Sequence, residues 1–106
     1  MEFEAQFRAI QADCEAHSTP LLVVLIPPVQ AIRHPHPPAG SPQYDLPTRK
    51  AREVLDGLGI PCVDTTDELL KAGFERAFLR VDGHLSPLGN EVLRDCILQA
   101  IRQAPD

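Results

Sequence analysis

Apolar positions along the chain switch between helical spacing and continuous runs. Residues 2–17, EFEAQFRAIQADCEAH, set Phe3, Phe7, Ile10 and Cys14 at helical spacing among charges. That pattern predicts an amphipathic helix, stopped by Ser18-Thr19-Pro20. LLVVLI, residues 21–26, is apolar without alternation, as in a parallel strand covered on both faces. Pro27 and Pro28 end it, because neither can donate to a ladder. Residues 27–47 are rich in Pro and read as one long irregular loop. TRKAREVLDGL, residues 48–58, resumes helical spacing with Ala51, Val54, Leu55 and Leu58 on one side; Thr48 is its expected N-cap and Gly59 its end. IPCVD starts a second short buried strand. Thr65-Thr66-Asp67 then caps a helix to Ala72, with Gly73 as its stop. AFLRV reads as a short extended piece. Ser86 as N-cap and Pro87 at the first helical position open a last helix to Gln103, expected to bury Leu88, Val92, Leu93, Cys96, Ile97, Ala100 and Ile101.

The order α-β-α-β-α-(β)-α predicts a single α/β domain over residues 1–106, with a parallel sheet, right-handed crossovers and helices on both faces. The expected architecture is a three-layer, flavodoxin-like one. It is also short of strands. LLVVLI has one obvious neighbour, IPCVD, and a weak one in AFLRV, although a central strand requires hydrogen-bonded neighbours on both edges. Its other edge calls for a partner chain, such as a homodimer through strand edge 21–26, for a missing amino-terminal half, or for an unexpected pairing. The prediction is an incomplete half-domain with two or three strands.

Composition narrows the function. With 106 residues, 43% of them hydrophobic, the chain suits one small globular core. A net charge of −5, with Lys and Arg scattered apart from Arg49, Lys50 and Arg52, argues against a nucleic-acid phosphate-binding face. The apolar run at 21–26 is too short to span a membrane. MEFEAQFRAI is acidic and amphipathic, unlike an export signal. Cys14, Cys62 and Cys96 form an odd set without a Cys-x-x-Cys pair, which predicts buried free thiols rather than a disulfide framework or a zinc site. No Gly-rich phosphate loop is present and no cofactor is implied.

Chemistry concentrates in VDGHLSPLGN. In an open parallel sheet the site lies beyond the carboxyl ends of the strands, where the Pro-rich loop, Asp64-Thr65-Thr66 and residues 82–86 converge. Residues two apart in an extended segment project to one side. Asp82 can therefore hold one imidazole nitrogen of His84 and leave the other free as a general base. Asp-Gly is also a common turn, and a surface His beside a helix cap requires no function. Asp64 reads as a helix-entry cap or a substrate contact at the rim, and Tyr44 as the lining of a substrate groove or a cover for the sheet. His34 and His36 lack a third ligand nearby, so no metal site is predicted. His17 suits a helix C-terminus.

IPCVDTTDELL followed by FLRVDGHLSPLGNEVLRDCIL resembles the carboxyl-terminal block of SGNH (GDSL-type) hydrolases and O-acyltransferases, in which an Asp and a His before the last helix complete a Ser-His-Asp triad. The D-G-H-L-S-P-x-G-N wording is similar to that of members found beside membrane-bound acyltransferases and of alginate-acetylation proteins. LLVVLIPP and Val63-Asp64 are similar to the family's last two core strands. The resemblance spans residues 20–101 and is sharp over 82–90. It implies His84 as general base, Asp82 as its orienting partner, and a small ester or acylated carbohydrate as substrate. The chain departs from the family in lacking both the Gly-Asp-Ser stretch and the Gly-x-Asn-Asp block; many members also separate the Asp and His by two residues rather than one. Its serines are Ser18, Ser41 and Ser86, and none stands in a nucleophile elbow. The implied role is the carboxyl-terminal part of an esterase or carbohydrate O-acetyltransferase, inactive alone. The competing expectation is a non-catalytic α/β module that dimerises through the strand edge and binds a partner through the Pro-rich loop.

Overall fold

A computed structural model describes residues 2–103, and 58% of the structure is helix. The elements are α1 (Glu2–Ala16), β1 (Val23–Leu25), α2 (Val29–Arg33), α3 (Leu46–Gly57), β2 (Cys62–Asp64), α4 (Thr66–Ala72), α5 (Phe74–Ala77) and α6 (Pro87–Gln103). The strands pair in parallel, Val23 with Cys62, Val24 with Val63 and Leu25 with Asp64. Among the described residues no helix is long and apolar enough to cross a membrane.

The flavodoxin-like three-layer expectation is wrong. Among the described residues there are only two strands, each three residues long, too little sheet to separate two helical layers. Two local events account for the shortfall. Gly73, at φ 89°, allows a sharp reversal after α4 and restarts a helical turn at Phe74. AFLRV is thereby split: its first residue, Ala77, ends α5, while Phe78 forms an isolated antiparallel bridge with Leu85. In LLVVLI, Leu22 and Ile26 find no ladder partner, so the strand contracts to its middle. None of the six residues of that run is fully buried, and Ile26 is 52% exposed.

The core lies instead among the carboxyl-terminal helices. Ile32, Leu69, Ala77, Phe78 and Leu93 form one buried cluster, contributed by α2, α4, α5, the residue after α5, and α6. Burying a side chain of this size stabilises by about 1.5–3 kcal/mol, so this cluster anchors the fold. α2 falls inside the segment expected to be an irregular loop. Proline favours a helix start through its fixed φ, and Ala31 and Ile32 then turn inward. α1 matches its predicted span, yet no described residue along it is fully buried; Gln11 Nε2 ties it to the Leu58 carbonyl at 2.8 Å.

Caps distinguish what the local sequence specifies from what packing overrides. α3 begins at Leu46, two residues before the expected cap, and Thr48 is buried within its first turn. Asp45, its N-cap residue, instead accepts from Arg49 Nε at 2.8 Å. The expected cap of α6 is present: Ser86 Oγ accepts the Gly89 N–H at 3.1 Å, satisfying a donor with no partner inside the helix. Of the seven residues expected to be buried along α6, only Leu93 is fully buried, and Ile101 is 58% exposed. All three cysteines are free and half-buried, less enclosed than expected. Burial still pushes the Cys62 and Cys96 thiols above their ordinary value.

Candidate functional site

Residues 79–85 form a loop clasped at its base. Leu79 donates its N–H to the His84 carbonyl at 2.7 Å, and Ser86 donates to the Ala77 carbonyl at 2.8 Å. Between these bonds the chain turns through Gly83 at φ 73°, a left-handed conformation that favours glycine. A Cβ at Gly83 would lie 3.3 Å from Cγ1 of Val29, the first residue of α2. The turn therefore rests on the helix that follows β1. Sequence reasoning missed this support; the signal for it was the Val29-x-x-Ile32 spacing directly after two prolines.

The loop brings Asp82 and His84 together. Asp82 Oδ2 lies 3.0 Å from His84 Nδ1, and Asp82 Oδ1 accepts the His84 backbone N–H at 3.2 Å. Both carboxylate oxygens thus face one residue, a geometry that fixes the ring against its own backbone. The hydrogen bond from the His84 ring, reinforced by the one from its N–H, holds the Asp82 carboxyl below the ordinary value. His84 is 79% exposed and Asp82 51%. Among the described residues Nε2 of His84 has no hydrogen-bond partner. The arrangement is an oriented imidazole with one nitrogen held by a carboxylate and the other open to a reactant.

Ser86, two residues on, is enclosed by protein. Its Oγ donates to the Arg76 carbonyl while accepting from Gly89, and the residue is 9% exposed. That hydroxyl holds α5 to α6 and is occupied on both its donor and acceptor sides.

The other sequence-predicted residues lie apart from this pair. Asp64 Oδ1 accepts the Thr66 N–H at 3.0 Å and also the Thr66 hydroxyl, while Oδ2 lies 3.3 Å from Arg52 Nη1. It acts as the helix-entry cap of α4. It also lines a polar cavity of about 340 Å³ with Asp45, Arg49, Arg52 and Asp67, which does not include Asp82 or His84. Tyr44 stands against His34, ring centroids 6.0 Å apart. Among the described residues no three His, Cys, Asp or Glu side chains group to hold a metal ion. His17 closes α1 as expected, its Nδ1 2.8 Å from the Asp13 carbonyl.

Compared with known protein families, with curated proteins and with solved structures, the chain matches none.

Proposed function

We propose that Asp82 and His84 form the base half of an acyl-ester hydrolase or acyltransferase whose nucleophilic serine lies outside these 106 residues. The observation that carries the reading is the 3.0 Å contact from His84 Nδ1 to the Asp82 carboxylate beside a solvent-open Nε2. In this mechanism Nε2 takes the proton of the serine hydroxyl as its oxygen attacks the ester carbonyl, and later returns it to the leaving alkoxide. Asp82 holds the tautomer and supports the imidazolium that forms. The sequence resemblance to SGNH hydrolases supplies the substrate class, an acetylated carbohydrate or other small ester. The isolated chain has negligible turnover, because Ser86 is buried in helix-capping bonds and neither Ser18 nor Ser41 stands in a nucleophile turn.

The test places an affinity tag on the gene at its own locus and isolates the tagged species at its native mass. Expected is hydrolysis of p-nitrophenyl acetate that falls by about 10³-fold or more in His84→Ala. Turnover unchanged in His84→Ala overturns the proposal. So does a fluorophosphonate adduct on Ser18, Ser41 or Ser86 of the isolated chain.

A second reading is favoured by a different observation, the open edge of β1. In it the chain is a non-catalytic module that associates through residues 21–26. Ester turnover that depends on His84 would sink this reading, because a binding module has no use for a general base.

A further inference from the structure

We infer that β1 pairs antiparallel with β1 of a second copy of this chain, about a two-fold axis at Val24, joining two strand pairs into one sheet. The inference gives geometry to the second reading above. It uses no residue of the Asp82–His84 loop, and it takes the strand edge that a missing amino-terminal half would otherwise cover.

The ladder shows which backbone groups are free. Val23 donates to the Pro61 carbonyl at 3.0 Å, and the Leu25 carbonyl accepts from Thr65 at 3.2 Å. Peptide groups alternate sides along a strand, so the N–H and C=O of Leu22, Val24 and Ile26 face away from β2. Among the described residues no hydrogen bond reaches any of these groups. A bare row of this kind is a template for another strand, and proteins commonly blunt such edges with charges, proline or bulges. Residues 21–26 carry neither charge nor proline.

The row is self-complementary. Antiparallel pairing about Val24 sets Val24 opposite its own copy and Leu22 opposite Ile26 of the second chain. Each of the three residues then donates one hydrogen bond and accepts one in closely spaced pairs. A two-fold axis closes the contact and leaves β1 no free edge. Every facing side chain is apolar, so the net charge of −5 lies off the seam.

Surface area supports a second copy of this size. The chain exposes 7479 Å², whereas a compact monomer of its 11.7 kDa exposes about 5,900 Å². The surplus, about 1,600 Å², is larger than the roughly 800 Å² that each partner of a standard interface buries. The radius of gyration, 15.3 Å, exceeds the about 13 Å of a compact chain of this length. Apolar surface also adjoins the edge. A cavity of about 620 Å³ is lined by Cys14, Leu21, Leu22, Ile60 and Ile101 among others. The proposed register brings Ile26 of the second copy beside Leu22, at the mouth of that cavity.

Sedimentation equilibrium of the full chain, with amide exchange of Val24 read by NMR, tests the pairing. Expected is a species of twice 11.7 kDa whose Val24 N–H is protected, and more so as concentration rises. In Ile26→Lys, a change at an exposed position, the mass falls to that of one chain and protection at Val24 is lost while helical circular dichroism is retained. Leu22→Lys, on the same row, is expected to do the same and guards against an effect peculiar to one site. A single-chain mass at several hundred micromolar overturns the inference. A dimer with unprotected Val24 also overturns it, because the copies then meet elsewhere. Turnover in His84→Ala reads the ester proposal separately, so either can fail alone.

Discussion

His84 and Ser86 stand two residues apart, and their surroundings are opposite. Ser86 is enclosed, with its hydroxyl bonded to Arg76 on one side and Gly89 on the other. His84 projects from a clasped turn with a single side-chain partner, Asp82. Both belong to one polar stretch before one helix, and either residue type serves in catalysis. Packing assigns them different work. A hydroxyl held between two helices cannot reach a substrate without releasing α6, whereas an oriented imidazole at the surface can accept a proton with no change in fold. The difference makes Ser86 a structural residue and leaves His84 available for chemistry.

The contrast predicts where substitutions hurt. The largest effect belongs to Gly89, in the first turn of α6. A Cβ there would collide with the Ala77 carbonyl oxygen and crowd Leu85 Cδ2 at 2.9 Å. Backbone oxygen does not give way as a flexible side chain does, so Gly89→Ala is expected to lower unfolding stability by about 2–3 kcal/mol. Urea unfolding measures it, and an unchanged midpoint would mean that α5 and α6 are not in this close contact. The next effect is smaller. Ser86→Ala removes the cap and leaves the Gly89 N–H without its acceptor, at a cost of about 1–2 kcal/mol. In the same titration His84→Ala should leave the midpoint where it was, because the side chain is largely exposed. Equal losses at Ser86 and His84 would erase the distinction between them.

The capped helix before which both residues stand was legible in the sequence. Ser-Pro at 86–87 carries a cap and a first-turn proline in adjacent positions, signals that depend on local backbone chemistry alone. The Asp82–His84 contact was legible because a spacing of two needs no distant partner, although the chain reaches it through a left-handed turn at Gly83 and not through the extended segment expected. Tertiary facts were not legible. LLVVLI announces a strand seeking cover on both faces, but a pattern states what residues require and not whether a neighbour exists; among the described residues β1 pairs on one edge only. AFLRV failed as a strand because Phe78 is drawn into the Ile32–Leu69–Leu93 cluster, a demand set by residues far along the chain. α2 was hidden because proline-rich composition masks a helical turn as short as Val29–Arg33.

The smallest predicted effect is the most direct probe of the Asp82–His84 pair. The His84 hydrogen bonds hold the Asp82 carboxyl below its ordinary value of 3.8. A carboxyl depressed in the folded state contributes stability that is present above the ordinary value and is lost as pH falls through the depressed one. The Asp82 side chain is half-exposed and screened by solvent, so unfolding curves will not register this contribution, and the carboxyl carbon must be observed itself. Its NMR titration is expected to have a midpoint below 3.8, moving upward in His84→Ala as the ring and its hydrogen bond are removed. The backbone N–H at position 84 survives that substitution, so part of the depression should remain. A midpoint that does not move would mean that the ring spends its time away from the carboxylate, and an imidazole free to wander has no fixed nitrogen to offer a serine. Movement in the predicted direction would establish the oriented base independently of any substrate.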